Sequence, residues 1–213
     1  CLVHMTVDTA EVYMTTKLAG AARFFLPFNK GHNHGAGNPP NSTGHKSAYL
    51  WREIFSRESV ANIIQHFVRL DGSSKTPLAK RTLFFPRYHQ LDVVRRLVTH
   101  ASQHGVGQRY LIQHSAGSGK SNSITWAAYQ LIETYPATLD VAGARGLDVP
   151  LFDSVIVVTD RRLLDKQLRE NLREFSEVKN IIAPALKSSD LKQALEQGKK
   201  IIITTIQKFP WIV

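Results

Sequence analysis

The stretch LIQHSAGSGKSNSITWAAYQL, residues 111–131, decides how the chain folds. Gly117 and Gly119 flank Ser118, Lys120-Ser121 follow directly, and an apolar helical run comes next. A phosphate loop needs this order: a glycine-rich turn between strand and helix, then Lys and Ser or Thr. Glycines let main-chain N–H groups converge on phosphate oxygens, and the helix N-terminus continues the nest. In this reading Ala116, Gly117, Ser118 and Gly119 form the turn. Lys120 neutralises the β- and γ-phosphates of ATP and is the candidate catalytic residue, while the Ser121 hydroxyl ligates Mg²⁺. His114 stands where the textual pattern has its first glycine. Gly117 and Gly119 remain beside the phosphates, so the physics of the loop is intact.

Working outward, QRYLIQHS (108–115) is expected as the strand that feeds the loop, and the helix after it should end near Pro136. FDSVIVVTD (152–160) is a continuous apolar run, the pattern of a parallel strand covered on both faces. RRLLDKQLRENLREFS (161–176) reads as a charged amphipathic helix. SDLKQALEQG (189–198) reads as a short helix opened by Ser189 or Asp190 and closed by Gly198, ahead of a strand in KKIIITTIQKF (199–209). Strand, loop, helix, strand, helix, helix, strand describes an α/β doubly wound parallel sheet.

Upstream, FFPRYHQLD (84–92) offers an aromatic residue and a glutamine able to stack on adenine and bond its N6 and N7 atoms, selecting ATP over GTP. The run from Tyr88 is helical, with Leu91, Val94, Leu97 and Val98 on one side. Further back, VYMTTKLAG and ARFFLPFNKG are β-like or apolar stretches, with Lys17 placed on a strand. GHNHGAGNPPNSTGHK is loop chemistry. Its His32, His34 and His45 lack a Cys or carboxylate companion, so no metal site is expected there. Residues 46–70 read as two amphipathic helices, the first burying Tyr49, Leu50, Ile54 and Phe55. The second buries Val60, Ile63, Ile64, Phe67 and Val68 and is capped by Ser59. The expected organisation is a front domain over 1–70, a linker over 71–80 and a nucleotide-binding domain over 81–213.

Composition narrows the function classes. Lys and Arg number 27 against 17 Asp and Glu, a net charge of +10 that favours a polyanionic partner. The excess gathers near the loop: residues 81–130 hold six Lys/Arg against Asp92 alone, while 131–213 hold twelve basic and eleven acidic residues. One cysteine excludes an internal disulfide framework and fits a reducing compartment. No apolar run approaches the ~20 residues of a membrane helix, so no membrane partner is expected. Nothing at the start reads as a signal peptide, since Asp8 and Glu11 follow Cys1 closely. A start on Cys1 and an end at Val213, just past a strand-like run, suggest an excerpt of a longer polypeptide.

These blocks resemble a superfamily 2 helicase-like motor. Motif I falls at 116–121, the glutamine motif at 84–92, motif Ia at 155–167 and a later DNA-contacting motif at 201–209. FLPFNKG, GAGNP, YLWREIF, FFPRYHQLDVVRRL, IQHSAGSGKS, VIVVTDRRLLDKQL and IIITTIQKF follow one another as in the restriction subunit of type I restriction enzymes. The likeness runs along nearly the whole chain. It implies a RecA-like P-loop sheet, the first half of motor domain 1, preceded by the α+β end of a nuclease-type domain. It further implies a cytoplasmic bacterial or archaeal protein that uses ATP and Mg²⁺, with double-stranded DNA and methyltransferase subunits as partners. Gln90 is similar to the adenine-reading glutamine, with Arg87 and Tyr88 beside it. Asp160, Arg161 and Gln167 fall in motif Ia, and Thr204, Thr205, Gln207 and Lys208 in the strand-end motif, facing the DNA backbone. Such phosphate contacts carry no sequence information.

The chain lacks the acidic box that would position an attacking water and the nuclease carboxylates with their lysine. Glu177-Val178-Lys179, its only Glu-x-Lys, reads as chance. By itself the chain is expected to bind ATP weakly and neither to hydrolyse it well nor to cut DNA. The alternatives are another superfamily 2 translocase, such as a remodeller or repair helicase, and a DNA-binding assembly module with a vestigial ATP site.

Overall fold

The structure is a computed structural model that describes residues 1–22, 24–71, 76–160, 182–185 and 187–211. Its contacts divide the chain into Cys1–Asp92 and Val93–Val213. The helix expected at 161–176 and the Glu177-Val178-Lys179 triplet lie outside the described residues.

The first unit opens with an antiparallel meander of β1 (His4–Val7), β2 (Val12–Thr15) and β3 (Leu26–Pro27). The β1–β2 turn closes because the Asp8 carboxylate accepts the N–H groups of Ala10 and Glu11 at 2.6 and 2.7 Å. The same two bonds hold its carboxyl below the ordinary carboxylate range. Val12 and Met14 point inward from β2. Lys17 lies beyond the end of β2, so its expected place on a strand is corrected. The Gly- and Asn-rich loop is pinned from within by the buried Asn38. Its side chain accepts from Lys30 N–H at 2.8 Å and donates to Ala10 O at 2.8 Å and Asn29 Oδ1 at 2.9 Å.

The first expected helix is instead a 3-10 turn, Lys46–Ala48, followed by a single π turn, Leu50–Ile54. Two anchors override the α pattern: Ser47 Oγ donates to Asp8 O at 2.6 Å, and the Tyr49 hydroxyl donates to Phe28 O. Tyr49, Leu50 and Ile54 are buried as expected, but Phe55 is exposed. Helix α1 (Arg57–His66) is capped by Ser56, whose hydroxyl accepts Ser59 N–H at 3.3 Å, and not by Ser59. Ile63 and Phe67 are buried while Ile64 is exposed. The chain leaves this helix before Arg69, because β4 (Arg69–Asp71) pairs antiparallel with β5 (Thr82–Phe84). The Arg69 guanidinium lies 4.3 Å from the centroid of the Phe84 ring. Helix α2 (Tyr88–His104) follows, and the division between the units falls within it.

The second unit holds α3 (Lys120–Leu131), β6 (Val155–Thr159), β7 (Ile182–Pro184), α4 (Ser188–Glu196) and β8 (Ile201–Thr205). The strands form a parallel sheet in the order β6-β8-β7, with Val155 opposite Ile201 and Thr159 opposite Thr205. This is the parallel α/β arrangement compatible with a RecA-like fold. β8 is central, and Ile201, Ile202 and Ile203 are fully buried because both faces are covered. Ile201, Ile203 and Val157 pack with Ala128 and Ile132 of the α3 region, while Ile202 packs with Leu191 and Ala194 of α4. The Asp190 carboxylate accepts Lys187 N–H at 2.8 Å at the start of α4, and Gly198 closes it with φ +63°.

The expected strand at 108–115 is not formed, and this is the main correction to the fold. Leu111 stays 94% exposed. Two side chains hold the stretch off any ladder: the Tyr110 hydroxyl is bonded to His100 Nδ1 at 2.9 Å, and Lys120 holds the carbonyls of His114 and Ser115. Ile112 and His114 face β6 residues Ile156 and Val158 across an apolar cavity of about 360 Å³.

Candidate functional site

The loop after His114 turns at Ala116-Gly117, bends at Ser118 and enters α3 through Gly119. Gly117 has φ +73° and Gly119, the N-cap, has φ +79° and ψ +36°. Both lie in the left-handed region, where a β-carbon is strained, which is why glycine alternates here. A β-carbon on Gly117 would meet nothing within 4 Å, so the loop surface over it is open to a ligand. Ser118 is buried and its N–H approaches Ser115 O at 3.4 Å, which tightens the turn.

At the head of α3 the first N–H groups precede the regular helical ladder and carry the positive end of the helix dipole, that of Asn122 donating to Gly119 O at 3.0 Å. Lys120 is the first helical residue. Its exposed side chain curls back, Nζ donating to His114 O at 3.1 Å and Ser115 O at 2.8 Å. The ammonium is thus held at the loop mouth by main-chain carbonyls that phosphate oxygens can replace. Ser121 is half-buried in the same turn, and its carbonyl accepts from Thr125 Oγ1 at 2.8 Å, fixing the backbone beneath its hydroxyl. His114 closes the rear. Burial, and then the Lys120 charge, push its imidazole pKa below the ordinary 6.5, so it stands neutral beside the ammonium. Ser123, one turn on, is buried against the 360 Å³ cavity, and its hydroxyl has no partner among the described residues.

An open glycine turn with two left-handed residues, a helix N-terminus, a cation and a first-turn hydroxyl are the donor set of a triphosphate and its Mg²⁺. Residues 116–121 fit that group. Arg87, Tyr88 and Gln90 belong to the other unit. Gln90 is buried, and its Oε1 accepts Arg87 N–H at 2.9 Å, bracing the start of α2. Tyr88 is buried edge-on to Phe28 and Tyr49, with centroids 5.7 and 5.4 Å away. In these positions the glutamine and the tyrosine serve the helix start and an aromatic core.

Of the strand-end residues, Thr204 and Thr205 are buried on β8, Thr204 completely. Gln207 is exposed and donates from Nε2 to Asp160 O at 3.2 Å, joining the end of β8 to the end of β6. Lys208 Nζ donates to Ala185 O. Arg161 and Gln167 lie outside the described residues. The sequence reading missed His114 as the rear wall of the loop and Ser123 as its buried neighbour. A lone histidine and a helical serine carry no periodic signal.

Residues 89–211, more than half of the chain, match the family described as SWI2/SNF2 ATPase. No curated protein matches the chain.

Proposed function

Because the chain belongs to the SWI2/SNF2 ATPase family, we propose that it is the ATP-binding part of a type I restriction subunit that translocates double-stranded DNA. The observation that carries the nucleotide half is the Gly117–Gly119 turn delivering Lys120 to the mouth of α3. Gly117, Gly119 and the first turn of α3 cradle phosphate oxygens, and Lys120 exchanges its loop carbonyls for them. The Ser121 hydroxyl faces the cation. When bound, Mg-ATP supplies the free energy of phosphoryl transfer. Gln90 reads adenine once its amide turns from Arg87 N–H, with Arg87 and Tyr88 as its neighbours. Gln207, Lys208, Arg161 and Gln167 supply the strand-end contacts to DNA phosphates, with Thr204 and Thr205 buried beneath them on β8. The net charge of +10 and its concentration over 81–130 support a nucleic-acid partner.

The restriction reading, with methyltransferase subunits as partners, rests on residues before the family match: FLPFNKG and YLWREIF have no place in a general motor. The family match itself favours a second reading, another superfamily 2 translocase. The test is ATP-dependent cleavage of unmethylated duplex by the whole subunit assembled with its methyltransferase partners. Cleavage by wild type, abolished by Lys120→Ala, is expected. DNA-stimulated ATP hydrolysis without cleavage would sink the restriction reading and leave the second one.

A further inference from the structure

Between α2 and the stretch that follows it lies a second cavity of about 490 Å³, which adjoins the 360 Å³ one at Val93, Leu97 and Ile112. Arg96, His100, Gln108, Arg109, Tyr110 and Leu111 line it with a few aliphatic side chains, and among the described residues no carboxylate does. The phosphate loop contributes nothing to it. The walls are organised from the helix outward. His104 stacks on His100 with ring centroids 3.8 Å apart and planes 12° apart, and its Nδ1–H donates to His100 O at 3.1 Å. His100 in turn holds Tyr110 edge-on, with centroids 5.4 Å apart and Nδ1 bonded to the hydroxyl at 2.9 Å. Tyr110 is therefore fixed while 44% of it remains exposed, and Leu111 beside it is 94% exposed. Arg109 is exposed and has no carboxylate partner among the described residues.

A fixed exposed aromatic ring, an apolar wall, an amide and a cation on one concave surface match one unpaired nucleotide. The base stacks on Tyr110 and lies against the aliphatic wall, Gln108 meets its edge, and Arg109 takes the phosphate. Pockets of a few hundred Å³ with this mixture hold ligands of nucleotide size. We infer that this cavity binds one nucleotide of a single-stranded nucleic acid, at a site apart from both the phosphate loop and the strand ends. The inference takes its ligand class from the nucleic-acid reading above. Duplex DNA offers no free base to this cavity, so the two readings separate by experiment.

The test is anisotropy of a labelled single strand of about ten nucleotides and of the matching duplex, titrated with the whole chain without ATP. Tyr110→Ala is expected to weaken single-strand binding about tenfold, and Tyr110→Phe, which keeps the ring, to retain most of the affinity. Arg109→Ala lowers the log–log salt slope by about one. Duplex affinity is unchanged in the Tyr110 and Arg109 variants. Unaltered single-strand affinity in Tyr110→Ala and Arg109→Ala together overturns the inference, as does parallel loss of duplex binding. Absence of duplex binding by wild type, alongside Tyr110-dependent single-strand binding, supports the inference.

Discussion

Lys120→Ala separates a binding residue from a structural one. In the structure Lys120 is solvent-exposed and donates to two carbonyls, His114 O at 3.1 Å and Ser115 O at 2.8 Å. Contacts of an exposed ammonium are screened, so their loss costs about 0–1 kcal/mol of folding stability. For a chain of this length that is a fall in Tm of no more than about 2–4 °C. Binding is affected differently. Each hydrogen bond to a charged group contributes about 1.5–3 kcal/mol, and the ammonium can reach more than one phosphate oxygen. Leaving the two carbonyls offsets roughly one such bond, so the net loss is about 1.5–3 kcal/mol, or about 10- to 150-fold in Kd. Titration with Mg-ATP, alongside thermal melting without nucleotide, reads both quantities. A Kd within twofold of wild type would refute the placement of phosphates at this loop. A melting point lowered by more than about 10 °C would make Lys120 a strut that holds residues 114–115, and the phosphate argument would lose its cation.

Three further outcomes follow from the geometry. Gly105→Ala and Gly107→Ala both place a side chain at left-handed φ, +71° and +86°, but a β-carbon on Gly105 lands 1.8 Å from Ala142 O while one on Gly107 meets nothing within 4 Å. Gly107→Ala is therefore expected to cost about 1–2 kcal/mol, and Gly105→Ala about 3–6 kcal/mol once the Val106–Ala142 hydrogen bond and the packing around Val141 give way, as urea unfolding will show. His114 is held below its ordinary 6.5, so the unfolded chain binds its proton first and stability drains as pH falls from 6.5 through the folded pKa. His114→Gln should flatten that acid-side loss in urea midpoints compared on either side of this window, and an unchanged slope would count against a desolvated imidazole. Ser56→Ala removes the cap of α1 and should cost about 1 kcal/mol, with Ser56→Asp restoring most of it.

The glycine turn at the head of α3 was legible because its information is local. Left-handed φ at Gly117 and Gly119 and a cation at the first helical position need no distant partner to be read. β8 was legible for a related reason, since an apolar run such as Ile201–Thr205 suits a parallel strand buried on both faces, whereas β6, expected to be covered in the same way, leaves Ile156 and Val158 exposed on one face. Where several local solutions competed, tertiary contacts chose among them. Ser56 and Ser59 could both cap α1, and the Ser56 hydroxyl took the role by accepting the N–H of Ser59, three residues on. Residues 46–54 carry a helical pattern, yet the bonds from Ser47 to Asp8 and from Tyr49 to Phe28 draw them into a π turn, and neither partner is near in sequence. Tyr88 shows the same limit at the candidate site. An aromatic residue beside a glutamine reads as an adenine platform, but its ring meets Phe28 and Tyr49, which no spacing rule connects to it. The stretch 108–115 is the sharpest case. Its Tyr110-Leu111-Ile112 run ahead of the glycine turn reads as a strand, but a strand exists only through a neighbour's hydrogen bonds, and here Tyr110 is tied to His100 while Lys120 holds the backbone of 114–115. Those two tethers connect the single-strand cavity and the phosphate loop through six residues of chain, Tyr110 to Ser115. A phosphate that draws Lys120 off its carbonyls frees one end of that segment while His100 still holds the other. Nucleotide at the loop therefore bears on Tyr110 through the backbone between them, a coupling that single-strand titrations with and without Mg-ATP measure directly.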